Sequence, residues 1–131
     1  MILVDTNVPM YLVGADEHQK RRARALLDRA AIDHERLVTD AEVFQEILHR
    51  YSAINRRDAI QPAFDVLNAI LDEVFPVDAS LVERAKSLVL GYRTLSARDA
   101  IHVAAMQAHG VTRIMSFDAG YDAIPGLVRL G

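Results

Sequence analysis

The sequence contains no cysteine among its 131 residues, which excludes disulfide bridges and thiolate metal sites. It also has no apolar run near the roughly 20 residues that a membrane-spanning helix needs. The amino terminus, Met1 to Asp5, lacks a basic segment and reaches an acid at once, so it does not resemble a secretory signal peptide. These absences together favour a cytoplasmic protein that does not bind membranes.

Lysine is scarce, since Lys20 and Lys86 are the only two, and the formal net charge is -3. That balance argues against a nucleic-acid-binding protein, because phosphates attract basic surfaces. The remaining basic residues are arginines, which suit bidentate contacts with phosphate, although a genome rich in G and C produces the same bias. Bound divalent cations would also offset the charge of clustered carboxylates.

The length and a hydrophobic content of 51% fit one compact domain over residues 1–131. Apolar periodicity predicts strands that alternate with helices. The expected strands are 2–4, 36–39, 74–77, 112–117 and 127–129, and the expected helices are 16–33, 40–51, 57–72, 79–91 and 96–109. This order predicts a three-layer α/β/α fold with a central, mostly parallel sheet of four or five strands. In such a sheet, ligands bind beyond the carboxyl ends of the strands.

Two aspartates directly follow predicted strands. Asp5 comes after strand 2–4, and Asp118 comes after strand 112–117. Turn or helix-cap chemistry also explains an aspartate at such a place. The position at the carboxyl end of a parallel strand favours a functional role for both. Asp122, four residues beyond Asp118, is a weaker candidate.

Helix 40–51 carries two acids, Glu42 and Glu46, one turn apart. At about 100° per residue, the apolar side of this helix centres near Phe44 and Tyr51. Glu42 is then expected to point to solvent, whereas Glu46 borders the apolar side and can reach a cleft. The alternative for Glu46 is a surface ion pair with Arg50.

Asp99 lies in the first turn of helix 96–109, where a capping box with Ser96 is the simplest explanation. The helix that it begins is apolar almost all round, which predicts burial. Its one polar strip contains Arg98, Asp99, His102 and His109. A carboxylate at the edge of a buried helix needs a partner, and a metal ion is one candidate.

Several acids brought together repel one another unless protons or cations lie between them. Oxygen ligands select hard ions, so Mg²⁺ is expected, with Mn²⁺ as an alternative. Such ions can polarise a phosphate and activate water. The sequence has no phosphate-binding loop, no nucleophile elbow and no zinc spacing of histidines. The acids therefore indicate metal-dependent hydrolysis of a phosphodiester.

The ordered motifs of the chain resemble the PIN-domain family and, within it, the VapC toxins. The resemblance covers nearly the whole chain and depends on an opening Asp5-Thr6-Asn7, a mid-chain helical Glu46, the block Arg98-Asp99-Ala100-Ile101-His102, and Ser116-Phe117-Asp118. It implies a PIN-like fold and Mg²⁺-dependent endonucleolytic cleavage of structured RNA, with tRNA and ribosomal RNA both plausible. It further implies a VapB-type antitoxin partner and a homodimer.

Carried over by position, the resemblance implies metal-binding and catalytic roles for Asp5, Glu46, Asp99 and Asp118. It places Thr6, Asn7 and Ser116 at polar positions that assist the cluster or the substrate. Arg98 is a candidate RNA contact, and the basic run Lys20 to Arg24 is a weaker one, since such runs usually form a solvated helix face.

Two alternatives to a ribonuclease remain at this point. A haloacid-dehalogenase-like phosphatase also begins with a strand and an aspartate, but it has a second acid two residues later, where this chain has Asn7. A PIN-like scaffold that only binds a partner is the other alternative. The retained acids argue against it, because a scaffold gains nothing from mutually repelling groups.

Overall fold

A computed structural model describes all residues from 1 to 131 and shows one five-stranded sheet between two layers of helices. The strands run in the order β3-β2-β1-β4-β5, and every neighbouring pair is parallel. Their bounds are β1 Ile2–Val4, β2 Leu37–Asp40, β3 Glu73–Phe75, β4 Arg113–Met115 and β5 Val128–Leu130. The predicted α/β/α architecture is confirmed, and the sheet is parallel throughout.

Six α-helices connect and cover the strands. They are α1 Asn7–Val13, α2 Glu17–Ile32, α3 Ala41–Ala53, α4 Ile60–Ile70, α5 Ala79–Gly91 and α6 Ala97–His109. Side-chain caps begin four of them, because Asp16, Asp40, Asp78 and Ser96 each accept a first-turn backbone N–H. Gly110 ends α6 with a φ of 68°, a left-handed conformation that costs glycine little.

Both faces of the sheet are buried, which explains why the central strands are apolar without alternation. In β1, Leu3 packs in the cluster formed with α5 and α6, whereas Ile2 and Val4 pack in the cluster formed with α1 to α4. Successive side chains of a strand point to opposite faces, so each strand supplies both cores.

Three elements differ from the sequence-based prediction. Helix α1 was not predicted, because Pro9 and the capping residues before it favour a turn, yet proline is tolerated in a first helical turn. The predicted helix 57–72 begins as a 3₁₀ turn, Arg57–Ala59, followed by α4. A second 3₁₀ turn, Ala119–Ala123, follows the predicted strand 112–117, of which only the middle is β4.

The central strand lies where the chain reverses its direction of winding. From β1 the chain proceeds to β2 and β3 on one side, and then returns through α5 and α6 to β4 and β5 on the other. Such a switch point opens a crevice at the carboxyl ends of its two strands, here β1 and β4. None of the helices is both long and apolar enough to span a membrane.

We predict that Leu3→Ala destabilises the fold by about 2–5 kcal/mol, because Leu3 is fully buried in the central strand and its loss leaves a cavity. Ile32→Ala is the control, since Ile32 is 70% exposed, and it should change the free energy of unfolding by less than about 0.5 kcal/mol. Chemical denaturation monitored by circular dichroism measures both. Equal effects of the two substitutions would contradict this description of the core.

Candidate active site

Polar residues gather at the carboxyl ends of three adjacent strands. Asp5 follows β1, Asp40 ends β2, and Ser116 follows β4. All three are buried, with 4%, 0% and 0% of their surface exposed. Because parallel strands end at the same edge of a sheet, the topology alone brings these side chains together.

Asp5 is the most constrained of the acids. Its Oδ2 accepts a hydrogen bond of 2.6 Å from the Ser116 hydroxyl, and its Oδ1 accepts one of 2.8 Å from the Thr6 backbone N–H. Burial raises the pKa of the Asp5 carboxyl, and the neighbouring His102 and Ser116 offset only part of that. The charged form of Asp5 therefore needs further positive charge nearby.

Glu46 approaches the same point from α3. Its Oε2 accepts a hydrogen bond of 2.7 Å from the Thr6 hydroxyl. Arg50, the surface partner expected from the helix spacing, lies 3.9 Å from the other carboxylate oxygen. Burial raises the pKa of Glu46, but His102 and Thr6 more than offset this, so the net pKa lies below its ordinary value. Glu46 is thus held as a carboxylate beside Asp5.

His102, on α6, completes this group, although the sequence analysis gave it no functional role. Its side chain is fully buried, and its Nδ1 lies 2.8 Å from Oδ2 of Asp40. Its Nε2 lies 3.8 Å from both Asp5 Oδ1 and Glu46 Oε2, and has no hydrogen-bond partner. Burial lowers the pKa of His102, but Asp40, Glu46 and Asp5 outweigh it and raise the pKa well above its ordinary value.

One helical turn separates His102 from Asp99, so the two side chains lie on the same side of α6. That spacing is the signal from which His102 could have been found. Asp40 was expected only as the beginning of a helix. Its Oδ1 does cap α3, by accepting the N–H groups of Glu42 and Val43, while its other oxygen faces His102.

Asp5, Glu46 and His102 form a group that suits a divalent cation. One ligand atom from each residue lies within 4.8 Å of those of the other two. Two carboxylates and an imidazole supply oxygen and nitrogen donors of the kinds that bind Mg²⁺, Mn²⁺ and related ions. The unpaired Nε2 is directed into this group, where a bound cation that replaces its proton would satisfy it.

Asp99 and Asp118 lie near this group but are not part of it. Asp99 is half-buried, and its Oδ1 accepts a hydrogen bond of 2.9 Å from the hydroxyl of the buried Tyr121. Burial raises its pKa, and the charge of Asp118 raises it further. Asp118 is exposed and caps the 3₁₀ turn through the Gly120 N–H. Asp122 points elsewhere and pairs with Arg129.

Three polar residues hold the carboxylates in place. Thr6 binds Glu46, and Ser116 binds Asp5. The Asn7 amide lies 3.3 Å from the Ser116 hydroxyl and accepts the Phe117 N–H through its oxygen. Thr6 and Ser116 are buried, and their side chains contact the acids. A contact of Thr6, Asn7 or Ser116 with substrate stays a prediction.

The prediction that Glu42 points to solvent was wrong. Only 18% of its side chain is exposed, and its Oε1 lies 3.5 Å from Nε of Arg98. Burial raises its pKa despite the positive charges of His102 and Arg98. The buried side of α3 contains Val43 and Ile47, whereas Phe44 is only half-buried and packs against Phe64. Helix α6 covers the flank of α3 on which Glu42 lies.

Comparison with known proteins agrees with the geometry. Residues 2–127 match the PIN domain family. The chain is 58% identical over 130 residues, 99% of each chain, to a Mycobacterium tuberculosis protein named ribonuclease VapC13. Its fold is similar to that of M. tuberculosis VapC20, described as a sarcin-ricin loop cleaving toxin, with a TM-score of 0.77, 23% identity and 94% of each chain covered. It is also similar to a chain of Rickettsia felis VapBC2 bound to promoter DNA, with a TM-score of 0.74, 15% identity, and 99% and 98% covered.

We predict that Mg²⁺ or Mn²⁺ stabilises the protein and that Asp5→Asn abolishes this effect. A cation at about 100 times its dissociation constant should add about 2.7 kcal/mol to the free energy of unfolding. In chelator, Asp5→Asn should unfold at the same temperature as the parent or higher, because one of several repelling charges is gone. Thermal denaturation with and without cation measures this.

Asp28→Asn is the control for that experiment, since Asp28 is an exposed acid on α2. It should leave the stabilisation by cation unchanged. A stabilisation that survives in Asp5→Asn would mean that the cation binds elsewhere.

Proposed function

The chain belongs to the PIN-domain family, in its VapC branch, and from this premise we propose that it is a metal-dependent endoribonuclease toxin that cleaves structured RNA. The observation that carries the proposal is the convergence of Asp5 and Glu46 at the switch point of the sheet, with Asp99 beside them. A chain 58% identical over its full length is named a ribonuclease, which supports the same chemistry.

The residues present fit a divalent cation. Asp5 is buried with a raised pKa, so its charged form gains from a further positive charge, and the buried Nε2 of His102 beside it has no hydrogen-bond partner. We propose that Asp5, Glu46, Asp99 and Asp118 hold Mg²⁺ or Mn²⁺. Such an ion polarises a phosphate and activates water for in-line displacement at phosphorus.

The protein's own residues stabilise the charged form of the carboxylates and align them. Ser116 and Thr6 donate hydrogen bonds to Asp5 and Glu46, which fixes the direction in which the free oxygens point. The Tyr121 hydroxyl does the same for Asp99. Positioning of this kind lowers the barrier because the groups need no rearrangement when the substrate binds.

Arginines at the mouth of the site supply contacts for the RNA backbone. Arg98 is one-third exposed and only loosely paired with Glu42, so a phosphate can replace that pairing. In the basic run on α2, the guanidinium carbon of Arg22 lies 4.6 Å from the centre of the Phe117 ring. Phe117 directly precedes Asp118 in the chain. Phe117 in turn stacks on Tyr11. These groups form a positively charged, aromatic border of the kind that suits RNA.

We propose a VapB-type antitoxin as the regulatory partner, in line with the toxin–antitoxin complex among the structures of similar fold. A homodimer is also proposed, since α5 exposes Val82, Val89 and Leu90 on its surface. The RNA substrate is a tRNA or a ribosomal RNA, and the proposed place of action is the cytoplasm, where both occur.

The phosphatase alternative has no support in the site. Asn7 takes the place of the second acid, and its amide is engaged with Ser116 and the Phe117 backbone. An amide, unlike a carboxylic acid, has no titratable proton to give to a leaving group.

We predict that Asp5→Asn and Asp99→Asn each lower the rate of RNA cleavage at least about 100-fold, because each removes a proposed cation ligand. Cleavage of total cellular RNA with Mg²⁺ or Mn²⁺, with mapped fragment ends, measures this and identifies the target. Asp122→Asn is the matched control and should retain cleavage, since Asp122 is an exposed partner of Arg129. Intact RNA under all conditions with the parent protein would refute the proposed function.

We predict that Arg98→Ala weakens RNA binding and lowers the slope of log Kd against log salt concentration by about 0.7–0.9. A change of this size corresponds to the loss of one phosphate contact. Arg84→Ala is the control, because the exposed Arg84 lies beside His109 at the opposite end of α6 from Asp99. Filter binding with Asp5→Asn protein, which does not degrade the probe, measures both. Equal effects of the two substitutions would exclude a specific role for Arg98.

A further inference from the structure

We propose that His102 is a direct nitrogen ligand of the catalytic cation and that Asp40 orients its ring. The site then prefers a transition ion that accepts nitrogen ligands, such as Mn²⁺, over Mg²⁺. This inference rests on the proposed function, since it concerns the cation of the same site. It adds a ligand of a different chemical type to the four carboxylates.

His102 has one ring nitrogen without a hydrogen-bond partner. A buried histidine with a purely structural role normally has hydrogen bonds at both ring nitrogens. In His102, Nδ1 is paired with Asp40, whereas Nε2 is fully buried without a partner. The atoms that it faces are carboxylate oxygens of Asp5 and Glu46, each 3.8 Å away, beyond hydrogen-bond distance.

Asp40 determines which nitrogen of His102 carries the hydrogen when the ring acts as a ligand. Oδ1 of Asp40 accepts two backbone N–H groups of α3, and Oδ2 lies 2.8 Å from His102 Nδ1. The carboxylate can only accept, so the hydrogen lies on Nδ1. The other ring nitrogen, Nε2, is thereby directed towards Asp5 and Glu46. A histidine oriented by a carboxylate behind it is the usual arrangement of a metal-binding imidazole.

The group of possible ligand atoms contains two carboxylates and one imidazole. Asp5, Glu46 and His102 each offer one atom within 4.8 Å of the other two, and the three come from β1, α3 and α6. Mg²⁺ keeps mostly oxygen ligands and water, whereas transition ions gain affinity from imidazole. A nitrogen donor at this point therefore shifts the preference away from Mg²⁺.

Mn²⁺ is the probe for the test, because its electron paramagnetic resonance reports both affinity and coordinated nitrogen. The free-ion signal gives the dissociation constant, competition with Mg²⁺ gives the relative affinity, and electron spin echo envelope modulation detects a directly bound imidazole. We expect the parent protein to show nitrogen coupling and to bind Mn²⁺ at least about 10-fold more tightly than Mg²⁺.

Two substitutions separate ligation from folding. His102→Gln should abolish the nitrogen coupling and weaken Mn²⁺ binding by about 10- to 100-fold, with a smaller effect on Mg²⁺. Asp40→Asn keeps a good helix cap for α3, but its amide donates to Nδ1 and moves the ring hydrogen to Nε2. It should also reduce the coupling and the Mn²⁺ affinity, although it changes no ligand. His49→Gln, at an exposed position of the helix that carries Glu46, is the matched control and should change neither.

The outcomes separate this inference from the proposed function. Tight Mn²⁺ binding and RNA cleavage without nitrogen coupling would overturn the inference and would leave His102 as a buried positive charge among the acids. Absence of both cation binding and RNA cleavage would overturn the proposed function and this inference together. Coupling that persists in His102→Gln would assign the nitrogen to another residue and would also overturn the inference.

Discussion

The burial of Asp5 at the end of the central strand is the constraint on which the rest of the site depends. A carboxylate with only 4% of its surface exposed is costly unless donors and positive charge compensate for lost water. Ser116, Thr6 and His102 supply that compensation from three different segments of the chain. Each of these partners is also buried, so water cannot easily take its place. Displacement of any one of them would leave the charge of Asp5 without part of its compensation.

The sheet topology explains why this compensation is available. Because β1 lies between β2 and β4, its carboxyl end is flanked by Asp40, which ends β2, and by Ser116, which follows β4. The helices α3 and α6, which begin at this edge, add Glu46 and His102. A parallel sheet with a switch point therefore gathers residues that are more than 100 positions apart in sequence, such as Asp5 and Ser116.

The alternation of strands and helices was predictable because the apolar runs of β1, β2 and β4 are buried on both faces, and such runs leave a strong pattern. The positions of Asp5 and Glu46 followed from strand ends and from the helical wheel. The position of Glu42 did not, because a helical wheel describes one helix and takes no account of the neighbouring helix that packs against its flank. His102 was overlooked although it lies one turn from Asp99 on the same side of α6. Helix α1 was missed because its first turn contains Pro9, whose residue type favours turns as well.

The contacts among these residues also determine how their contributions combine. Thr6 binds Asp5 through its backbone and Glu46 through its hydroxyl, while His102 lies equally far from both acids. Residues that share partners in this way have coupled energies, so the loss of one changes what the others contribute. The site therefore acts as a unit. Removal of one acid reduces the repulsion among the remaining acids, and it also removes part of the negative charge that stabilises the buried His102. That coupling makes the group poorly suited to a passive scaffold and well suited to a bound cation, which satisfies all of its members at once.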